Sequence, residues 1–311
     1  MKLLVTGAAG FLGQRLVSLA RERGHETRGL VRPGTPMPAA TPGPGWIAVD
    51  LAEAADLGPA VEGVQAVIHA AARTSAHRPD PALSRRVNVE ATARLLEVAE
   101  RAGVHRWVQI STMSAHEGST SVYGRTKLEA DRLVRRSALA WTILQPSLIY
   151  GPGGLGLVAR TLRMARRLPT VPLVGSGREL IRPVFVDDVA WAALACLERP
   201  GTSGQSYMIG GPEEVQLREF LARLLRAAGV SRPFVSLPVG LAMMLARGAA
   251  WLTPNPPLTA DNVLGVREAR RVEIGPAVAD LGFQPMGLEE GLRRTLGRRR
   301  EASAPRPEAS P

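Results

Sequence analysis

The segment Thr6-Gly7-Ala8-Ala9-Gly10-Phe11-Leu12-Gly13 constrains this chain more than any other. It lies between an apolar run, Lys2–Val5, and a helical pattern, Phe11–Arg23. A strand therefore feeds through a glycine-rich turn into a helix. Gly7 allows the tight bend, Gly10 lets backbone approach an anion, and Gly13 lets helix and strand pack closely. The helix start presents free N–H groups and the positive end of its dipole. A dinucleotide pyrophosphate suits this geometry, held by Gly7, Gly10, Phe11, Leu12 and Gly13.

The first half continues the alternation. Strands are expected at Lys2–Val5, Glu26–Val31, Trp46–Val49, Ala66–His69, Trp107–Ile110 and Trp141–Leu144. Helices are expected at Phe11–Arg23, Leu57–Val61, Pro81–Ala102 and Tyr123–Ser137, with a proline-rich loop at Pro33–Pro44. Short apolar strands alternating with helices predict an α/β fold, a Rossmann-like doubly wound parallel sheet covered on both faces. Beyond residue 150 the pattern loosens. Strands are expected at Pro172–Val174, Ile181–Val186 and Tyr207–Gly210. Helices are expected at Leu157–Leu168, Asp188–Glu198, Leu217–Ala228, Val239–Leu252 and Leu288–Leu296. The organisation expected is a dinucleotide-binding domain at 1–150 that also receives 175–210, a smaller discontinuous substrate lobe at 151–297, and a disordered tail at 298–311.

Composition narrows the function classes. The 311 residues are 45% hydrophobic and 22% charged, as in an ordinary globular protein. One cysteine, Cys196, excludes a disulfide framework and a cysteine-rich zinc site; no metal is expected, and Cys196 reads as core packing within an apolar helical run. The net charge of +11 comes from arginines scattered along helices, without a basic arm or interleaved aromatics. It reads as a solvated surface and not as a nucleic-acid interface. An anionic cofactor and a membrane surface remain as acidic partners. Phe234–Leu252 is apolar but contains Pro238 and Arg247, so it reads as a strand end and helix with peripheral bilayer contact at most. No signal peptide is visible, and the expected location is cytoplasmic.

Tyr123-Gly124-Arg125-Thr126-Lys127 carries the chemistry. A Tyr and a Lys four apart share one helix face. A nearby ammonium is expected to lower the phenol's pKa, fitting it to act as acid or base toward a carbonyl or alcohol. The same lysine can hydrogen-bond a ribose. Ser111 and Thr112 follow a strand and offer a hydroxyl to polarise the substrate oxygen.

Together, Thr-Gly-x-x-Gly-x-x-Gly and Tyr-x-x-x-Lys resemble the short-chain dehydrogenases/reductases. The spacing of Gly7, Gly10 and Gly13 is similar to the extended and atypical branches, which include the NAD-dependent epimerase/dehydratase family. The resemblance covers about residues 1–297. It implies that Asp50 and Leu51 contact the adenine side, that Ala70, Ala71 and Ala72 after His69 line the cofactor, and that Asn88 supports the site. His69 itself reads as packing or local hydrogen bonding. The runs Pro146–Gly153 and Arg182–Ala190 match the motifs joining the two lobes, with Pro146 at the cofactor. Asp187 and Asp188 read as a helix start. Arg182 is expected either to contact a substrate phosphate or to pair with one of them. Homodimerisation through Pro81–Ala102 and Tyr123–Ser137 is implied by the resemblance alone.

The cofactor and the reaction are read from departures. Where NAD-preferring relatives carry a carboxylate after the second strand, this chain has Val31 followed by Arg32. A guanidinium suits a 2′-phosphate, which favours NADP(H) over NAD(H). Nucleotide-sugar enzymes of the family usually carry arginine and asparagine where Gln145 and Ser147 stand here. Leu237–Asn262 is similar to the NADPH-binding accessory subunit of respiratory complex I and its free-standing relatives. Three expectations follow: a reductase of a small-molecule carbonyl or alcohol, a nucleotide-sugar epimerase or dehydratase, and a nucleotide-binding accessory protein without turnover.

Overall fold

The computed structural model describes residues 1–35, 45–54, 56–74, 80–252, 259, 261, 263–264 and 270–302. Seven parallel strands form the central sheet. They are β1 (Lys2–Thr6), β2 (Glu26–Val31), β3 (Trp46–Ala48), β4 (Ala66–His69), β5 (Arg106–Ile110), β6 (Ala140–Pro146) and β11 (Gln205–Ile209), in the order β11-β6-β5-β4-β1-β2-β3. The chain runs outward from β1 to β3, then returns to β4 on the other side of β1. That reversal opens a crevice at the carboxyl ends of β1 and β4, where open α/β sheets bind ligands.

Burial explains why the strands are apolar runs and not alternations. Leu3, Leu4 and Val5 are all inaccessible because helices cover both faces. On one face α1 (Phe11–Glu22) packs against α7 (Val186–Glu198), which brings Leu12, Leu16, Val17 and Ala20 onto Val189, Ala193 and Cys196. On the other, α2 (Gly58–Val61) and the helix ending at Arg101 bury Val61, Leu95 and Ala99 against Val67 and Trp107. At roughly 25 cal/mol per Å² of apolar surface, these two layers are the main drive for the fold.

Several boundaries differ from expectation. The helix expected at Pro81–Ala102 is α3 (Pro81–Arg85), a wider i→i+5 turn (Arg86–Glu90), then α4 (Ala91–Arg101). The widened turn carries Asn88. The strand expected at Ile181–Val186 is two short pieces, β9 (Leu180–Ile181) and β10 (Val184–Phe185), in different ribbons. Pro183, which lacks an N–H, separates them. The loop Pro33–Pro44 lies outside the described residues from 36 onward.

Beyond the central sheet the chain forms short ribbons and further helices, gathered around a separate apolar core and called the second lobe. They are β7 (Ile149–Tyr150) with β10, β8 (Val171–Val174) with β13 (Phe234–Leu237), β12 (Val215–Gln216) with β9, and α6 (Leu157–Arg167), α8 (Leu217–Ala227) and α9 (Val239–Leu252). Its core gathers Tyr150, Leu162, Leu173, Phe185, Phe220 and Leu224. Two further helices, α10 (Gly275–Leu281) and α11 (Leu288–Ala302), close the chain. The last of these continues five residues into the segment expected to be disordered, and residues 303–311 lie outside the described ones. No helix among the described residues is long and apolar enough to cross a membrane.

Candidate active site

The glycine turn has the shape of an anion cradle. Gly7 sits at φ 66°, and a Cβ there would lie 2.9 Å from the backbone of Ala71. A Cβ on Gly13 would lie 2.0 Å from the Gly7 carbonyl oxygen, so only glycine lets α1 approach the turn. The Gly10 N–H closes the turn on the Gly7 carbonyl at 2.8 Å. The first turn of α1 has neither a side-chain cap nor an acidic residue, so its N–H groups and dipole are left for a ligand's charge. Such a cradle fits a dinucleotide pyrophosphate. Phe11 is half-buried at its edge, and Leu12 packs into the core.

The other cofactor candidates fall around this turn. Arg32 is exposed immediately after β2. Asp50 accepts the Ala52 N–H at 2.9 Å, an Asx turn after β3. Leu51 is a core residue whose carbonyl holds Arg94 at 2.7 Å. Ala70, Ala71 and Ala72 are half-buried beyond β4, and Pro146 is buried at the end of β6.

A hydrogen-bonded chain links the cradle to the helix carrying Tyr123. The Ala71 N–H donates to Thr6 Oγ1 (3.1 Å), and Thr6 meets His69 Nδ1 (2.8 Å). His69 Nε2 meets Thr92 Oγ1 (3.0 Å), which donates to the Asn88 carbonyl (2.8 Å). Because the Thr92 proton is committed to Asn88, Nε2 carries the imidazole hydrogen and Nδ1 accepts from Thr6. Burial pushes His69 down to about 3, with the Lys127 charge acting in the same direction. It is a neutral structural residue. Asn88, 1% exposed, spans Arg73 with both ends of its amide, at 2.7 and 3.1 Å. Its Nδ2 also donates to Thr126 Oγ1 at 2.9 Å.

That helix, α5 (Val122–Arg136), starts at Ser121, whose hydroxyl accepts the Gly124 N–H at 3.0 Å. From the second lobe, the buried Asp261 carboxylate accepts the N–H groups of Val122 and Tyr123, each at 3.2 Å. The inward face of α5 carries Lys127 and Asp131, both within 1% of full burial. Lys127 Nζ donates to the Ile110 carbonyl at 2.7 Å. Burial lowers its pKa, while the Asp131 charge opposes the shift.

The structure separates the two candidate hydroxyls. Ser111 donates to Asp131 at 2.5 Å, whereas Thr112 is the hydroxyl that acts on the Tyr123 phenol; both line the cavity between the lobes. The phenol itself differs from expectation. Its desolvation pushes it up to about 12; Thr112 pulls the value down, Asp131 adds to the rise, and no lowering by Lys127 emerges. Burial outweighs the ammonium four residues away.

Asp131 is the site residue that sequence inspection missed. It lies one turn beyond Lys127 and two beyond Tyr123, so Tyr-x-x-x-Lys-x-x-x-Asp would have marked it as sharing their face. Burial raises its carboxyl to about 6, partly offset by Lys127 and by the bond from Ser111.

Tyr123, Thr112 and Pro146 open onto a cavity of about 840 Å³ between the lobes. Its far wall is apolar, with Leu148, Leu157, Met164, Leu173, Leu221 and Leu237 among its residues. Arg160, Glu179, Asp261 and Arg270 supply its charged lining. Arg182 is elsewhere. It donates to the carbonyls of Val272 (3.1 Å) and Pro212 (3.3 Å) and pairs with neither aspartate. Asp187 takes a bidentate pair from Arg15, at 2.6 and 2.9 Å, and Asp188 accepts the Met286 N–H at 2.9 Å. Both occupy the first turn of α7, and Cys196 is buried within that helix.

Comparison with known proteins agrees with this geometry. A 2-alkyl-3-oxoalkanoate reductase of Stenotrophomonas maltophilia (strain K279a) is 31% identical over 326 residues, spanning 94% of this chain and 98% of its own length. A Dictyostelium discoideum NADH dehydrogenase (ubiquinone) 1 alpha subcomplex subunit 9, mitochondrial, is 29% identical over 139 residues, 45% of this chain and 38% of its own. The crystal structure of a Thermus thermophilus UDP-glucose 4-epimerase complex with NAD superposes with a TM-score of 0.76 at 25% identity, covering 97% of this chain and 100% of that one. Residues 3–210 match the profile of the NAD dependent epimerase/dehydratase family. With the glycine cradle, the Tyr–Lys helix and that match together, the chain is an enzyme belonging to the NAD-dependent epimerase/dehydratase family.

Proposed function

We propose that this enzyme is an NADP(H)-dependent oxidoreductase that moves hydride between the coenzyme and a carbonyl or alcohol on a largely apolar substrate. The observation that carries this reading is the cavity, a mostly aliphatic chamber whose inner end is the Thr112–Tyr123 pair. Aliphatic walls stabilise a hydrocarbon body, worth about 0.8 kcal/mol per buried methylene, and offer little to a sugar's hydroxyls. The name of the Stenotrophomonas relative, a reductase of alkyl-substituted oxoalkanoates, is in keeping with such a substrate.

The residue roles follow from position. Gly7, Gly10 and Gly13 would receive the pyrophosphate, Arg32 a 2′-phosphate, and Lys127 the ribose beside the nicotinamide. A dihydronicotinamide bound there would supply the hydride that the carbonyl carbon accepts. The carbonyl oxygen needs a proton, and Tyr123 gives it. A phenol held at about 12 is fully protonated at neutral pH, so burial keeps the acid form ready for reduction. Thr112 fixes the direction of the phenolic oxygen and is the hydroxyl placed to hold the substrate oxygen. Ser111, which lines the cavity beside Thr112, is tied to Asp131 and so fixes the end of β5 to α5.

Wild type mixed with NADPH and an aliphatic ketone or β-keto acid should consume coenzyme stoichiometrically with alcohol formed. Tyr123→Phe should lower kcat by about 10²- to 10⁴-fold with NADPH affinity retained. Full turnover by Tyr123→Phe, or UDP-sugar interconversion without net NADPH consumption, would overturn the assignment.

A further inference from the structure

Helix α9 is built inside out. Its small residues Ala242 and Ala246 are buried against Val263, while Leu241, Met244 and Leu245 stand 41%, 62% and 50% exposed. The spacing of those three residues puts them on one stripe, continued by the exposed Gly248. A helix that only covers a core turns its large apolar side chains the other way. The stripe also joins the cavity. Leu245 both lines the chamber and faces solvent, and so does Leu180 on β9, half exposed on the same lining.

Charge indicates what this stripe meets. Residues 151–180 and 212–249 carry ten arginines and four glutamates. Of the arginines, Arg247 is exposed on α9 itself, and Arg232 holds the Leu168 carbonyl beside β13. Arg270 is exposed where it lines the cavity. Against these, Glu179 and the buried Asp261 are the acids on the cavity lining. An apolar stripe within a basic surface is the pattern of an element that lies in the interface of an anionic bilayer. A second copy of this chain would instead bring its own basic surface against this one.

We propose that the α9 stripe of Leu241, Met244 and Leu245 docks this enzyme on an anionic membrane surface, with the mouth of the substrate cavity facing the lipid. A largely apolar substrate would then pass from bilayer to cavity without crossing water. The docking surface rests on α9 and its charge, and only this delivery role rests on the apolar-substrate reading.

The test is flotation of the full chain with vesicles of phosphatidylcholine alone or mixed with phosphatidylglycerol, in the absence of substrate. Wild type should float with the mixed vesicles, weakly or not at all with phosphatidylcholine, and less as salt is raised. The double variant Met244→Glu/Leu245→Glu should lose binding by about tenfold or more. Val278→Glu removes an equally exposed apolar residue from α10, a helix packed on β11 and α7, and should bind like wild type. NADPH affinity and thermal melting of the double variant report its fold. Absence of wild-type binding to the mixed vesicles would overturn the proposal. So would a wild-type dimer that the double substitution splits without any vesicle binding. Turnover of a water-soluble ketone is scored separately, so failure of the substrate assignment leaves the flotation result interpretable.

Discussion

Single side chains here are set by what burial does to their protonation. His69 is neutral because its environment offers a donor to one nitrogen and an acceptor to the other, and no room for a charge. Its folded value, about 3, lies below the ordinary 6.5, so the unfolded chain takes up a proton that the folded one refuses. The contribution to stability is complete above pH 6.5 and is lost as pH falls toward about 3. Against a His69→Gln variant, the stability of wild type should therefore fall by about 1.4 kcal/mol per pH unit through that window. Denaturant melts at several pH values measure it, and a pH-independent difference would refute the neutral imidazole. Arg32 makes the second prediction at this scale. Arg32→Ala should weaken NADPH about tenfold and leave NADH unchanged, by titration of coenzyme fluorescence. Equal binding of the two coenzymes by wild type would remove the 2′-phosphate argument.

Among the elements, the strand–turn–helix at the amino end tolerates least. Gly13→Ala drives a methyl onto the Gly7 carbonyl oxygen, so α1 must move off β1. A loss of about 1–3 kcal/mol in stability and more than about tenfold in coenzyme affinity is expected. Thermal melting and coenzyme titration check both, and a variant that binds as wild type would contradict the close approach. This element was legible in the sequence because everything that makes it is local: an apolar run, three glycines and a helical period within 23 residues. The helix of Tyr123 and Lys127 was legible for the same reason, through their spacing. Asp131 was missed although the same spacing reaches it, because a carboxylate on a helix ordinarily faces water. The widened turn at Arg86–Glu90 left no mark, since one extra residue in a turn barely disturbs an apolar period. The Arg182 pairing failed because which acid an arginine reaches is decided by lobe packing, and here Arg15 claims Asp187 while Arg182 is taken by two carbonyls.

At the scale of the molecule, the sheet supplies coenzyme geometry and the second lobe supplies the chamber. They meet at α5, where Ser121 and Asp261, one from each lobe, satisfy the N–H groups of the first turn. The lobe that shapes the chamber therefore also holds the start of the helix bearing Tyr123. The apolar character of the chamber could not be read along the chain. Its walls come from β6, α6, β8, α8, β13 and α9, segments up to about a hundred residues apart, none of which alone marks a chamber. The expected doubly wound sheet needed only the alternation of short strands with helices, and the observed strand order carries it. The two-residue ribbons of the second lobe lay below any periodic signal.

The most direct test is the rate of NADPH oxidation by the full chain on a homologous series of ketones differing only in alkyl length. An apolar chamber ending at Tyr123 predicts that kcat/KM rises with each methylene, by about fourfold per added group until the cavity is filled, and that Tyr123→Phe lowers every member alike. A series that is flat in chain length, or one in which no ketone oxidises NADPH, would contradict the account.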